Sequence, residues 1–155
     1  MINCISFKTH FGWLHSQEIN GEIQYIKFGK KKHVGNSKIL KNLEKKIINF
    51  FMKRSTKIDI SIKLKGSKLE KKIWKELMKI PYGEISTYGK IAKKLNTSPR
   101  YVGNVCGKNN FLLIVPCHRV IRSDGKLGGF SALGGINLKK RLLMLEKLNT
   151  MQTKK

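Results

Sequence analysis

Apolar and polar positions alternate through three short segments, residues 2–9, 11–18 and 22–28, in which β-branched and aromatic side chains are separated by Gly12 and by the Asn20-Gly21 pair. Alternation with a period of two predicts strands, and Asn-Gly between two such runs predicts a tight hairpin, so an antiparallel meander is expected. After the basic turn GKKKHVGNS the period changes. Ile39, Leu40, Leu43, Ile47 and Phe50 recur at spacings of three and four, which predicts an amphipathic helix. DISIKL, residues 59–64, reads as one further strand. These elements define a small α/β module over residues 1–62.

From residue 67 onward the pattern is mostly helical. SKLEKKIWKELMKI opens with Ser67 and has Glu70 three residues later, the spacing of a capping box, and Leu69, Ile73, Leu77 and Ile80 draw an apolar stripe that Pro81 ends. PYGE predicts a turn, Ser86 or Thr87 a cap for a short helix TYGKIAKKL, and Ser98-Pro99 the start of another, RYVGNVCGK. Two short helices joined by a tight turn make a helix-turn-helix candidate, although the bare pattern describes many ordinary packing pairs equally well. FLLIVP is a strand-like apolar run, SDGK a turn and GGFSALGG a glycine-punctuated loop. The last helix, INLKKRLLMLEKL, is predicted to turn Leu138, Leu142, Leu145 and Leu148 inward. The fold class expected is α+β, with a second domain at residues 67–149 and a frayed tail at 150–155.

Charge changes the picture more than composition does. Thirty-three Lys plus Arg stand against 9 Asp plus Glu, a net charge of +24, and only Arg54, Arg100, Arg119, Arg122 and Arg141 are arginines. Such a field favours polyanions, and nucleic acid is the usual one; lysine-filled solvated faces in an A/T-rich genome are the other reading. Cys4, Cys106 and Cys117 form no CxxC pair, which argues against a disulfide framework or a four-ligand zinc site. The N-terminal stretch MINCISFKTHFGWLHSQEING lacks the apolar core of a signal peptide and any run of membrane length. A cytoplasmic protein is expected, associated with the nucleoid or held in the nucleus, with no membrane partner.

The chemistry concentrates in IVPCHRVI, residues 114–121, where one cysteine stands beside a His-Arg pair. A neighbouring imidazole or cation stabilises a thiolate and makes it a nucleophile. In an extended chain, however, successive side chains point to opposite faces, so His118 needs a bend or a bridging water to reach Cys117. A buried structural cysteine next to a surface histidine is the alternative.

PCHRV resembles the active-site signature of the O6-alkylguanine-DNA alkyltransferases, repair proteins that move an alkyl group from guanine O6 to their own cysteine. PYGEISTYGKIA is similar to the segment before that family's DNA-binding helices, SPRYVGNVCGKNN to its recognition helix, and GFSALGGINLKKRLLMLE to its C-terminal loop and helix, together covering residues 69–148 in family order. The resemblance implies a ribonuclease H-like first module and a winged helix-turn-helix-like second domain. It makes Cys117 the alkyl acceptor, His118 the base acting through a water, and Glu146 the carboxylate orienting the imidazole. Asn109 becomes the hinge asparagine, and Tyr88 the tyrosine that rotates the target phosphate and donates toward guanine N3. Arg100 matches the arginine that fills the gap left by the extruded base. Tyr101, Gly103, Asn104, Gly107 and Arg119 fall in the DNA-binding set, and Val120, Phe130, Ser131 and Lys139 in the pocket for the flipped base.

The implied activity is that of a methylated-DNA-[protein]-cysteine S-methyltransferase working once, without cofactor or metal, as a monomer on double-stranded DNA entered through the minor groove. Methyl is the expected group, and O4-methylthymine a further substrate to consider. Phe130 stands where many members have tyrosine, Lys108 where a small residue is common, and Tyr101 and Asn104 where alanine or glycine is usual. Two rival functions are a lesion-binding relative without transfer activity, which the presence of Cys117 opposes, and a basic helix-turn-helix regulator reading a defined sequence.

Overall fold

The computed structural model describes residues 1–153 and divides into two compact units, Met1–Lys63 with Asn110–Ile114, and Leu64–Asn109 with Val115–Lys155. In the first, β1 (Ile2–Thr9), β2 (Gly12–Ile19) and β3 (Glu22–Phe28) form the antiparallel meander in the order β1-β2-β3. Asn20 and Gly21 both take positive φ, 51° and 85°, as a two-residue hairpin requires. Alternation then puts Ile5, Phe7, Leu14, Ile23, Ile26 and Phe28 in the core. Also buried there are Leu40, Leu43, Ile47, Phe50 and Phe51 of α1 (Lys38–Phe51), whose start Ser37 caps by accepting from Leu40 N at 3.2 Å. Ile39 is exposed instead, because it lies one residue, 100° of helix, away from the stripe that Leu40 begins.

Residues 59–64 are not a strand. Both outer edges of the sheet are paired elsewhere: β1 through Cys4 with Val34, and β3 through Ile26 with Phe111. The second pairing uses the FLLIVP run, with Ile26 N donating to Asn110 O at 2.7 Å and Leu112 N to Ile26 O at 3.1 Å. That run supplies only an isolated bridge, since the chain turns at Leu113, which has φ 77°.

The second unit begins with α2 (Lys68–Met78), whose capping box of Ser67 and Glu70 is formed in both directions. A two-residue strand β4 (Ser86–Thr87) leads into α3 (Tyr88–Leu95), capped by Thr87 and ended by left-handed Asn96, and then α4 (Pro99–Cys106), capped by Ser98. A single 3-10 turn, Cys117–Arg119, precedes β5 (Val120–Ile121), which pairs in parallel with β4, and α5 (Gly135–Thr153) follows. The architecture is thus α+β, with two small sheets and five α-helices among the described residues. Ile73, Leu77, Ile91, Val102, Val105, Leu138, Leu142 and Leu145 are buried in this unit.

One expectation for α5 needs correction. Leu148 is 44% exposed and Asn149 is buried in its place. Eleven residues at 100° each bring Asn149 back to within about 20° of Leu138, whereas Leu148 falls about 80° away. Of the tail at 150–155, α5 includes residues through Thr153, and residues 154–155 lie outside the described residues. Leu142→Ala is expected to cost about 2–5 kcal/mol in a denaturant titration, and Leu148→Ala less than about 0.5 kcal/mol. Equal costs at the two positions would contradict this helix face.

Candidate active site

Three segments bring the chemistry together within the second unit. The 3-10 turn carries Cys117 and His118, the end of α4 leads to Asn109, and α5 supplies Lys139 and Glu146. The bend that a Cys-His pair needs is this turn, closed by Cys117 N donating to Val115 O at 2.8 Å and Arg119 N to Pro116 O at 2.9 Å. Asn109 Nδ2 donates to Val115 O at 2.8 Å and to Cys117 Sγ at 3.2 Å, tying the segment after α4 to the 3-10 turn. Its place is not that of a left-handed helix stop, a conformation held here by Asn96.

Glu146 is nearly inaccessible and receives several donors. His118 Nε2 lies 2.5 Å from its Oε2, Arg119 Nε 2.7 Å from Oε1 and Arg119 Nη2 3.1 Å from Oε2, while Gly83 N donates to Oε1 at 3.2 Å. A carboxylate only accepts, so Nε2 carries the hydrogen. Burial holds the His118 ring below its ordinary value of 6.5, against the pull of Glu146, with the Arg119 charge adding to the lowering. Burial also pushes the Glu146 carboxyl up, but His118 and Arg119 outweigh it and leave it below the usual range. The ring is therefore neutral, and its lone pair is on Nδ1, which is buried and has no hydrogen-bond partner in the protein. This is the arrangement of a base waiting for a proton.

Cys117 is buried, and burial pushes its thiol up; the Asn109 hydrogen bond, Lys139 and the backbone N–H groups of Cys117 and His118 act in the opposite direction. The sulfur is thus protonated at rest inside a cage that favours its anion once the proton leaves. It lines a pocket of about 520 Å³ with Tyr88, Gly103, Cys106, Gly107, Arg122, Gly128, Gly129, Phe130 and Ser131. Lys139, fully buried, spans the pocket loop: its ammonium donates to Leu127 O at 2.6 Å and Gly129 O at 3.3 Å, and lies 3.3 Å from the Tyr88 hydroxyl. Burial raises the Tyr88 phenol to about 12, so it remains a donor.

Most of the expected residues converge, with one departure. Arg100 and Asn104 are exposed on α4 and Gly107 just after it, with Tyr101 and Gly103 partly so, while Val102, Val105 and Cys106 face inward. Arg119, expected among the DNA contacts, is buried; besides Glu146 it donates to Ile80 O at 2.8 Å, so its guanidinium is consumed inside the protein. Val120, for which the resemblance implies a backbone part, is fully buried, and neither it nor Lys139 is in the pocket lining. Residues not anticipated are Cys106, three positions after Gly103 on the same helix, and Arg122 and Gly128, on either side of the SDGK turn. Gly83, read only as part of a turn, donates to Glu146, and any side chain there would collide with Thr150 Oγ1. Among the described residues no cluster of three His, Cys, Asp or Glu could hold a metal, and no helix is long and apolar enough to cross a membrane.

Residues 68–148 match the model of the 6-O-methylguanine DNA methyltransferase DNA-binding domain. A methylated-DNA–protein-cysteine methyltransferase of Mycobacterium tuberculosis is 44% identical over 100 residues, 63% of this chain and 59% of that protein, so the aligned chain spans somewhat under two thirds of that relative. One from Metallosphaera sedula is 40% identical over 125 residues, 80% of this chain and 78% of the relative. Among solved structures, the M. tuberculosis O6-methylguanine methyltransferase superposes with a TM-score of 0.84 at 30% identity, covering 96% of this chain and 94% of the other. The same organism's OGT in complex with DNA gives 0.85 at 30% identity, covering 94% and 93%.

The charge arrangement around Glu146 makes a signed prediction. The folded ring refuses a proton that the unfolded chain accepts below 6.5, so stability falls as pH drops from 6.5 toward the lowered folded value. Followed by NMR, His118 should titrate below 6.5, and Arg119→Met should move its midpoint upward by removing a repelling charge and leaving Glu146 with one counterion fewer. A midpoint unmoved by that substitution would remove Arg119 from the network's electrostatics.

Proposed function

Because the chain belongs to the O6-methylguanine DNA methyltransferase family, we propose that it repairs DNA by direct reversal, moving the alkyl group of O6-alkylguanine irreversibly onto Cys117. The observation that carries this is the position of the Cys117 sulfur: it faces a pocket that the C-terminal loop covers, with Asn109 and the His118-Glu146 pair bonded around its turn. In the reaction the thiol proton passes through a water to His118 Nδ1, the sulfur attacks the alkyl carbon in line, and the new S–C bond forms as the O6–C bond breaks. The Tyr88 hydroxyl donates toward N3 to offset developing charge, and guanine leaves neutral by taking up one proton, matched by the thiol proton that His118 releases again, so the reaction consumes none overall. The product thioether resists reductants, so each molecule acts once.

The target base must leave the duplex to meet a buried sulfur. We read α3, its turn and α4 as a winged helix-turn-helix-like element entering the minor groove, where Gly103 and Gly107 permit close approach and Arg100 fills the vacated stack. Open space around Gly103, where an added Cβ meets nothing nearer than the Tyr88 ring at 4.0 Å, agrees with approach from outside rather than internal packing. Phe130 and Ser131 border the base, with methyl the preferred group and O4-methylthymine a candidate. The first unit is read as ribonuclease H-like, and the working protein as a cytoplasmic or nucleoid-associated monomer. A lesion binder without transfer activity and a sequence-reading regulator account less well for a nucleophile at the pocket floor.

Incubation with duplex containing O6-methylguanine should add one methyl to the Cys117 peptide by mass spectrometry, in a yield that saturates at one per protein. Cys117→Ser should take up none, and an unmodified wild-type peptide beside fully repaired DNA would reject the assignment. Arg100→Ala should slow repair in duplex more than reaction with free O6-benzylguanine, since only the duplex requires extrusion.

A further inference from the structure

One nucleophile in the Cys117 pocket has no part in the alkyl transfer. Where α4 and its end border the pocket, the lining residues are Gly103, Cys106 and Gly107, so the one side chain presented from that wall is the Cys106 thiol. Cys106 and Cys117 are both buried, and neither is in a disulfide. A single residue connects them: Asn109 N donates to Cys106 O at 3.2 Å, and Asn109 Nδ2 donates to Cys117 Sγ at 3.2 Å. The asparagine that holds the Cys117 sulfur is thus itself held by the backbone of Cys106. The two thiols also act on each other through charge. A negative Cys117 adds to the burial that pushes the Cys106 thiol up to about 12, while Lys139 acts to lower both.

We propose that Cys106 is a resolving thiol: when a hydroperoxide oxidises Cys117 in the resting protein, Cys106 closes a Cys106–Cys117 disulfide that keeps the nucleophile in a recoverable form. The proposal rests on the alkyl-transfer reading only in taking Cys117 as the reactive thiol. Hydrogen peroxide is small beside a pocket of about 520 Å³ and reaches the sulfur by the path open to an alkyl group. The Cys117 sulfur, its proton passed through water to His118, attacks one peroxide oxygen. The S–O bond forms, the O–O bond breaks, and the departing hydroxide takes the proton back as water, leaving a sulfenic acid. Cys106 then attacks the Cys117 sulfur: the S–S bond forms, the S–O bond breaks, and the hydroxide leaves with the Cys106 proton as a second water. Two thiols lose two electrons, and one peroxide gains them. The surroundings set this order. Asn109, Lys139 and two backbone N–H groups favour the Cys117 anion, whereas burial and the Cys117 charge both oppose the anion at Cys106. Once Cys117 is a neutral sulfenic acid that opposing charge is gone, and Lys139 still favours the Cys106 anion. With no second thiol, further peroxide carries the sulfenic acid on to sulfinic acid, which thiol reductants do not reverse.

The test treats the full chain with hydrogen peroxide, blocks the remaining thiols with N-ethylmaleimide and maps the peptides by mass spectrometry, with Cys4→Ser run in parallel to remove the third thiol. The expected product is a linked pair of peptides carrying Cys106 and Cys117, two hydrogens lighter than their sum. Labelling of Cys117 by free O6-benzylguanine should be lost on oxidation and restored by dithiothreitol. Cys106→Ser and Cys106→Ala, each referred to its own untreated labelling, should lose it as well but recover little with dithiothreitol, their Cys117 being found as sulfinic acid. If wild-type Cys106 carries N-ethylmaleimide while Cys117 is oxidised, if Cys117 stays reduced under peroxide, or if the Cys106 variants recover as fully as wild type, the resolving role is wrong. The wild-type map decides the matter even where a variant does not fold. Untreated wild type that takes no label from any O6-alkylguanine substrate would instead reject the alkyl-transfer reading, and the peptide map would still decide the disulfide.

Discussion

One buried carboxylate organises the second unit. Glu146 accepts from His118, twice from Arg119 and from Gly83 N, and Arg119 in turn donates to the Ile80 carbonyl at the end of α2. Three pieces of chain, the PYGE turn, the 3-10 turn and α5, thus meet at two oxygens, and Arg119 ties in a fourth, the segment just after α2. A buried carboxylate is tolerable only when its lone pairs are filled and its charge is matched. Arg119 does the matching, and its charge adds to the burial that keeps His118 neutral. A structural ion pair and a neutral buried imidazole are therefore compatible at one carboxylate.

Around the sulfur the same balance keeps the resting site uncharged where it must be dry. Burial raises the Cys117 thiol and the Tyr88 phenol and lowers the His118 ring, so acid and base groups alike rest in their neutral forms. Lys139 is the exception. Burial lowers it, but it is tied to two loop carbonyls, and the nearby thiols act to raise it. Its ammonium secures the Leu127–Gly129 loop and leaves a positive field beside the Cys117 sulfur.

Much of this was legible in the sequence because it depends on local signals. Ser67 with Glu70, Thr87, Ser98-Pro99 and Asn20-Gly21 each dictate a cap or a turn through chemistry within four residues, and each element starts where those residues place it. PCHRV marked the nucleophile through resemblance, but its neighbours misled. Arg119 reads as a DNA contact because a cation beside a reactive cysteine in a basic protein suggests a polyanion; only the fold reveals a carboxylate 27 residues later waiting for it. DISIKL has strand-like alternation yet forms no strand, since the sheet edges are taken by Val34 and Phe111, a choice that periodicity does not encode. Arg122 and Gly128 were invisible for the converse reason. A glycine in a loop and an arginine before a turn are unremarkable until the Tyr88 ring is found lying against one and sharing a wall with the other.

The Asn109 amide shows how activation and ending of activity share a contact. It divides its hydrogens between Val115 O and Cys117 Sγ, so the hydrogen bond that favours the thiolate also belongs to the junction between α4's end and the 3-10 turn. In the proposed product the sulfur is a thioether, a weaker acceptor that can no longer become an anion. The new alkyl group occupies pocket space, since that is the side from which it arrived, and so the core beneath the turn need not repack. What changes is electrostatic. Asn109 and the backbone N–H groups of Cys117 and His118 surround a latent negative charge that the alkylated sulfur cannot develop, so the Asn109 hydrogen bond to that sulfur weakens. The cost of using the site once is therefore expected in the polar frame that made it reactive, rather than in the packing of the helices around it.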